Sequence, residues 1–152
     1  MYNCKDEMML FKHTLLKQPK EKLPKLNFIH APTLPYSILS FWFRAGSRFE
    51  PATKAGLAHL LEHLLMKRSI KFPDPIARTK KLEGKGILYN AFTSQDLVYF
   101  YTLQDSRNLI HGFNYLIEGV TKPFIKKESV SSEKKVVFNE IKQSTNNQIT
   151  QL

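Results

Sequence analysis

Two histidines and a glutamate lie close together in one apolar stretch of the chain. His59, Glu62 and His63 form the pattern H-x-x-E-H within residues 56–66, where most other positions are leucine. On a helix the two histidines share one face, and Glu62 lies on the same stripe, within reach of a bound water. Two imidazoles and a carboxylate are what zinc-assisted hydrolysis requires. The pattern predicts half of a zinc site.

The leucines around the motif predict a helix that is apolar over most of its surface, with its polar stripe largely buried. Burying two histidines and a carboxylate without partners is unfavourable by several kcal/mol. A metal ion removes this penalty, because it binds the nitrogens and balances the carboxylate. A lone histidine on an apolar helix is more often an ordinary core residue. The metal interpretation therefore requires a third ligand from another element.

The third ligand is sought in the last helical stretch, residues 128–142. Glu133 and Glu140 are seven residues apart, with Val137 between them. Two helical turns bring both carboxylates to one face. An apolar residue between them indicates that this face packs inward. The alternative for Glu140 is that it is an ordinary exposed glutamate with no role in metal binding.

Several short segments occur in an order and spacing typical of one protein family. The chain resembles the N-terminal part of the insulinase/pitrilysin family of zinc metallopeptidases, the inverzincins, whose motif is H-x-x-E-H with a distant glutamate as third ligand. The resemblance covers roughly residues 25–146. The matching segments are AGSRFE at 45–50, GLAHLLEH at 56–63, LE at 82–83, NAFTS at 90–94 and residues 133–141.

The resemblance implies a role for each residue of the motif. His59, His63 and Glu140 are the implied ligands of one Zn²⁺ per chain, and Glu62 is the implied general base. The implied reaction is the hydrolysis of peptide bonds by water that zinc activates, as in a metalloendopeptidase. Glu133 matches a family glutamate that lies two helical turns before the third ligand and assists catalysis without binding the metal.

The resemblance also implies where a peptide substrate binds. Asn90, Ala91 and Phe92 match the strand beside the site, along which family members hold extended peptide. An edge strand offers unpaired N–H and C=O groups, so a peptide can bind by adding a strand. The expected substrate is a peptide or an unfolded polypeptide.

The expected fold is an α+β domain with a mostly antiparallel sheet and helices packed on it, incomplete at its C-terminus. Residues 1–24 are interpreted as an N-terminal arm and linker, and residues 25–152 as a partial pitrilysin-like domain. Ser37–Phe43 and Leu97–Leu103 have strand composition, and the second is expected at the sheet centre. A helix capped by Asp105 or Ser106 is predicted to bury one apolar face. The residues of this apolar face are Leu109, Ile110, Phe113, Leu116, Ile117 and Val120.

Family subunits contain two related halves that close around substrate, whereas this chain ends soon after Glu140. A second homologous domain or subunit is therefore expected as partner. A non-catalytic relative that binds peptide or scaffolds a partner is the alternative function. The chain retains all the ligands and the base, which favours the enzyme.

Composition supports a folded protein, with 42% hydrophobic residues and one cysteine, Cys4. A single cysteine excludes an internal disulfide and fits a reducing compartment. The sequence has no recognisable secretory signal and no stretch suited to span a membrane, so a cytoplasmic location is predicted.

The formal net charge is +10. Lysines cluster at residues 17–25, 67–71, 80–85 and 126–135, and such clusters attract acidic peptides, acidic partners or nucleic acid. No nucleic-acid-binding motif accompanies them. Solvated surface is the favoured interpretation, and no nucleic-acid partner is expected.

Overall fold

The computed structural model describes residues 12–15, 27–30 and 33–150, with side chains for Ile29 and residues 33–144. The chain divides into two units, Met1–Pro35 and Tyr36–Leu152. In the first unit, β1 (Lys12–Leu15) pairs antiparallel with β2 (Asn27–His30). The predicted boundary after residue 24 lies outside the described residues and stays a prediction.

The second unit contains a three-stranded antiparallel sheet in the order β3-β5-β4. The predicted α+β class is confirmed. The strand predicted to lie at the sheet centre is β5, and it does lie between β3 and β4. In chain order the elements are β3 (Tyr36–Phe43), α1 (Leu57–Lys67), α2 (Pro75–Glu83), β4 (Leu88–Thr93), β5 (Val98–Asp105), α3 (Leu109–Thr121) and α4 (Lys127–Thr150).

The two faces of this sheet differ. Val98 and Phe100 of β5 pack on one face with the buried side chains Leu82, Ile87 and Leu116. Aromatic residues occupy the other face, which is more exposed, because alternate residues of a strand point to opposite sides. There Trp42 stacks on Tyr99 at 4.6 Å between ring centroids, and Phe92 lies 5.6 Å from Tyr99. The helices therefore cover the face on which Val98 and Phe100 lie.

The predicted buried face of α3 is only partly correct. Leu116 is buried, but Ile110 is 59% exposed and Phe113 is also exposed. Gly112 instead faces the sheet, since a Cβ there would lie 2.5 Å from Gln104 Oε1. Close approach of the helix at glycine rotates the larger side chains outward.

The cap predicted for α3 at Asp105 or Ser106 is wrong by one turn, because α3 has Asn108 as its N-cap residue, without a side-chain cap hydrogen bond. Asp105 instead caps the short 3₁₀ helix Ser106–Asn108. Its Oδ1 accepts from the Arg107 N–H at 2.9 Å, at the short 3₁₀ turn that leads into α3. Hydrogen bonds from the side chain and backbone of Arg107 lower the pKa of Asp105 to about 2. The carboxylate is therefore ionised at neutral pH, where it accepts the hydrogen bonds of Arg107.

The close approach at Gly112 is tested by Gly112→Ala. Glycine to alanine in a helix interior normally stabilises by about 1 kcal/mol. Here the new Cβ would also meet Thr102 Oγ1 at 2.7 Å, and both neighbours are buried. We expect a net loss of about 1–3 kcal/mol in the free energy of unfolding in urea.

The control is Asn114→Ala, at an exposed position two residues further along α3. It should leave the free energy of unfolding unchanged or raise it by about 0.5 kcal/mol. A more stable Gly112→Ala variant would contradict the packing described for α3.

Candidate metal centre

Helix α1 presents His59, His63 and Lys67 at four-residue intervals, so the three side chains follow one stripe. Leu60 and Leu64 are buried on another side of the helix. The predicted burial of the polar stripe is wrong in part, because both histidines are only half-buried. Leu57 and Leu61 of the same helix are exposed. The described structure covers only one side of α1, so the polar stripe lies near solvent.

The start of α1 is fixed by the Glu50 carboxylate. It accepts hydrogen bonds from the Gly56 N–H at 2.7 Å and from the Ala58 N–H. Gly56 adopts φ 87°, which glycine tolerates without strain. A carboxylate at a helix N-terminus also interacts favourably with the helix dipole. This cap determines where the helix begins and hence where His59 lies. The sequence did not predict this role for Glu50, which lies six residues before Gly56 along the chain.

Helix α4 packs beside α1 through Val137, which is buried with Leu60 and Leu64. On the same face, Glu133 is 2% exposed and Glu140 is 46% exposed. The predicted inward face of α4 is thus present at Glu133 and Val137. Glu140 lies two turns further along, at the rim of the site.

Three acceptor atoms converge between these helices. His59 Nε2 and His63 Nε2 are 3.1 Å apart, and Glu140 Oε2 lies 3.3 Å from the first and 3.5 Å from the second. Ligands around a tetrahedral zinc, bound at roughly 2.0–2.1 Å, are about 3.3–3.4 Å from each other. Acceptors this close repel one another unless protons or a cation lie between them. The donor set and the spacing both fit Zn²⁺.

A second carboxylate, that of Glu133, contacts the imidazole of His63. Glu133 Oε2 lies 3.2 Å from His63 Nδ1, and its Oε1 is bound by the Lys67 ammonium. Burial raises the pKa of the Glu133 carboxyl, but the hydrogen bonds from Lys67 and His63 outweigh it, so the net pKa is lowered. An ionised Glu133 accepts the Nδ1 proton of His63, which leaves the Nε2 lone pair free to bind a metal. The sequence reasoning missed Lys67, although its four-residue spacing from His63 was visible.

Glu62 belongs to the same cluster but is held differently. One ligand atom each from His59, Glu62 and His63 can lie within 4.8 Å of one another. The Thr93 hydroxyl donates to Glu62 Oε2 at 2.6 Å. Thr93 is the last residue of β4, so this hydrogen bond joins the zinc-motif helix to the sheet. No role for Thr93 was predicted.

The predicted substrate strand is β4, an edge of the three-stranded sheet in the described part of the chain. The Asn90 side-chain oxygen accepts from the Ala91 N–H at 2.8 Å. Ala91 lies on the same side of the strand as Thr93, toward α1, whereas Phe92 points to the opposite, aromatic face. Phe92 is therefore not brought to the histidines.

Comparison with known proteins identifies the family of the chain. The sequence profile described as Insulinase (Peptidase family M16) matches residues 26–152. The chain belongs to the insulinase family of peptidases, family M16. The resemblance inferred from the motifs is confirmed.

Proteins similar to the chain include proteases. The mitochondrial-processing peptidase subunit beta of Mus musculus is 27% identical over 72% of the chain and 22% of its own length. An uncharacterized zinc protease of Mycobacterium leprae is 32% identical over 74% of the chain and 25% of its own length. The chain thus spans about a quarter of the length of these relatives.

A solved structure shares the fold. The crystal structure of a protease from Helicobacter pylori superposes with a TM-score of 0.73 at 25% identity, covering 90% of this chain and 32% of that chain.

None of the described helices combines the length and apolarity that a membrane crossing requires.

The support given by Lys67 to the buried Glu133 is tested by Lys67→Met. We expect the free energy of unfolding in urea to fall by about 1–2 kcal/mol, because a buried carboxylate loses its cation. Lys67 is half-exposed, so the loss is smaller than for a fully buried pair. Lys134→Met, on an exposed part of α4, is the control and should change little.

A double-mutant cycle separates this pair from general charge effects. In a Glu133→Gln background, Lys67→Met should destabilise less than in the wild type, with a coupling of at least about 0.5 kcal/mol. Strictly additive effects would mean that Lys67 acts on some group other than Glu133.

Proposed function

We propose that the chain is the metal-binding part of a zinc-dependent metalloendopeptidase. The observation that carries this proposal is the convergence of two histidine nitrogens and one glutamate oxygen within 3.1–3.5 Å of each other. The M16 family membership and the zinc protease relative support it. His59, His63 and Glu140 are the proposed ligands.

The two carboxylates near the histidines have different proposed roles. Glu140 Oε2 is within 3.5 Å of both Nε2 atoms, as a ligand to a shared ion should be. Glu62 Oε2 instead accepts a hydrogen bond from Thr93, which directs that oxygen toward the sheet. We therefore assign Glu140 as the third ligand and Glu62 as the general base.

Zinc, when bound, would act as a Lewis acid that polarises the scissile carbonyl and makes an attacking water acidic near neutral pH. Glu62 would take the proton from this water and pass it to the leaving amine. The Thr93 hydroxyl orients Glu62. Glu133 keeps the proton of His63 on Nδ1 and thereby fixes the direction of the Nε2 lone pair.

The proposed substrate is an extended peptide added to the edge of β4. The Ala91 N–H is the group that such a strand would bind, and Asn90 Oδ1 now accepts from it. A substrate carbonyl would replace the Asn90 oxygen, and the freed amide could then bind the peptide in turn. The strand ends at Thr93, so bound peptide would lie close to Glu62.

Full activity is proposed to require a second homologous domain or subunit. The chain spans about a quarter of the length of its relatives, and the relative from mouse is named as a beta subunit. A half-exposed Glu140 leaves one side of the metal site open to such a partner.

Metal content tests the ligand assignment. By mass spectrometry we expect about one zinc per wild-type chain and loss of zinc in Glu140→Gln. Glu62→Gln should keep zinc and, with the second domain or subunit supplied, lose the cleavage of a quenched-peptide pool that the wild type shows. Glu128→Gln, at an exposed position in the first turn of α4, is the matched control and should keep the metal.

Each outcome has a distinct meaning. Failure of the wild type to bind zinc after reconstitution would refute the peptidase proposal. Zinc binding without cleavage, even with the rest of the protein supplied, would leave a non-catalytic relative that binds peptide.

Ala91→Pro tests the substrate strand. Proline removes the N–H that an added strand would bind, and an edge strand tolerates it. In a Glu62→Gln background, the affinity for a fluorescent extended peptide should fall at least about tenfold, as measured by anisotropy. Phe92→Ala keeps that N–H and is the control. Unchanged peptide affinity in Ala91→Pro, with zinc retained, would place the substrate elsewhere.

A further inference from the structure

A basic cleft lies between α2 and α3, away from the metal centre. Its volume is about 100 Å³, and its lining shares no residue with the proposed zinc site. One water occupies about 30 Å³ in the liquid, so the cleft has room for a small polyatomic ion.

Three lysines line this cleft: Lys71, Lys81 and Lys85. Among the described residues, none of them forms an ion pair with a carboxylate. Lys71 and Lys81 both lie over the ring of Phe72, at 5.9 and 4.8 Å from its centroid. Lys85 Nζ donates to His111 Nε2 at 3.3 Å. Lys71 and Lys81 thus share one aromatic ring, and Lys85 contacts an imidazole rather than a carboxylate.

A buried arginine forms the inner wall. Arg78 is 2% exposed, and its two terminal nitrogens donate to the carbonyl oxygens of Leu65 and Tyr115 at 3.3 and 3.4 Å. Its Nε is buried with no hydrogen-bond partner among the described residues. Burial lowers the pKa of Arg78, and the neighbouring Tyr115, Tyr89 and Glu118 offset this only in part.

The charge of the cleft favours a doubly charged anion. Arg78 and the three lysines face a single lining carboxylate, Glu118, which lies 3.5 Å from Lys122 outside the cleft. A phosphoryl group carries a charge of about −1.5 to −2 at pH 7 and has three strong acceptor oxygens. Lysine and arginine are the side chains that bind such groups.

We propose that this cleft binds a phosphoryl group, either as free phosphate or as a small phosphate monoester. The proposal does not depend on peptidase activity. It assigns a ligand to Lys81 and Lys85, which the proposed peptidase reaction does not use.

The test is a titration of the ¹⁵N-labelled protein with inorganic phosphate, followed by NMR at constant ionic strength. Saturable shifts should centre on residues of α2 and α3. The double variant Lys81→Gln/Lys85→Gln should weaken binding about 25-fold, since one exposed ion pair accounts for up to about fivefold. A parallel titration with O-phosphoserine distinguishes the two sources: tighter binding identifies a monoester, and weaker binding identifies free phosphate.

The matched control is Lys80→Gln/Lys134→Gln, which removes the same charge at exposed positions that do not line the cleft. It should change phosphate affinity less than about twofold. Glu140→Gln should bind phosphate as the wild type does, which separates the cleft from the metal centre. The proposal is overturned if sodium chloride produces the same shifts, or if the two double variants bind phosphate equally well.

Discussion

The contact between α1 and α4 is the constraint on which the candidate site depends. His59 and His63 come from one helix and Glu140 from the other, and three acceptor atoms within 3.5 Å of each other repel when no cation or proton separates them. The helices are held together by a small apolar cluster of Leu60, Leu64 and Val137. A metal ion at this point would tie together segments more than seventy residues apart. It would therefore stabilise the fold as well as serve chemistry.

The sheet contributes the parts that the two helices cannot supply. Thr93 at the end of β4 holds Glu62, and the turn before α1 is joined to the turn after β4 by the hydrogen bond from Arg48 N–H to the Gln95 carbonyl oxygen. Glu50 follows that turn and caps α1. Glu62 and the N-terminal end of α1 are thereby both positioned by the β4–β5 hairpin. A peptide strand added to the edge of β4 would be positioned by the same hairpin.

The sequence predicted the elements better than it predicted their contacts. The strands β3 and β5 and the spacing of His59 and His63 follow from local composition and periodicity, which do not depend on neighbours. The face of α3 did not follow, because Gly112 approaches Gln104 and glycine carries no hydrophobic signal. Lys67 was missed for a related reason. A lysine is ordinary at a helix end, and only the buried Glu133 across the interface gives it a specific role.

Solvent exposure rises in steps across the candidate metal centre. Glu133 is fully enclosed, the side chains of His63 and His59 are 18% and 28% exposed, and Glu140 is the most exposed of the four. The enclosed end is where rigidity matters, because a fixed Glu133 holds the His63 tautomer in place. The open end lies at Glu140, where the proposed ion would enter without the helices separating. The proposed peptidase must both retain an ion and admit a polypeptide, and these two properties would lie at opposite ends of one site.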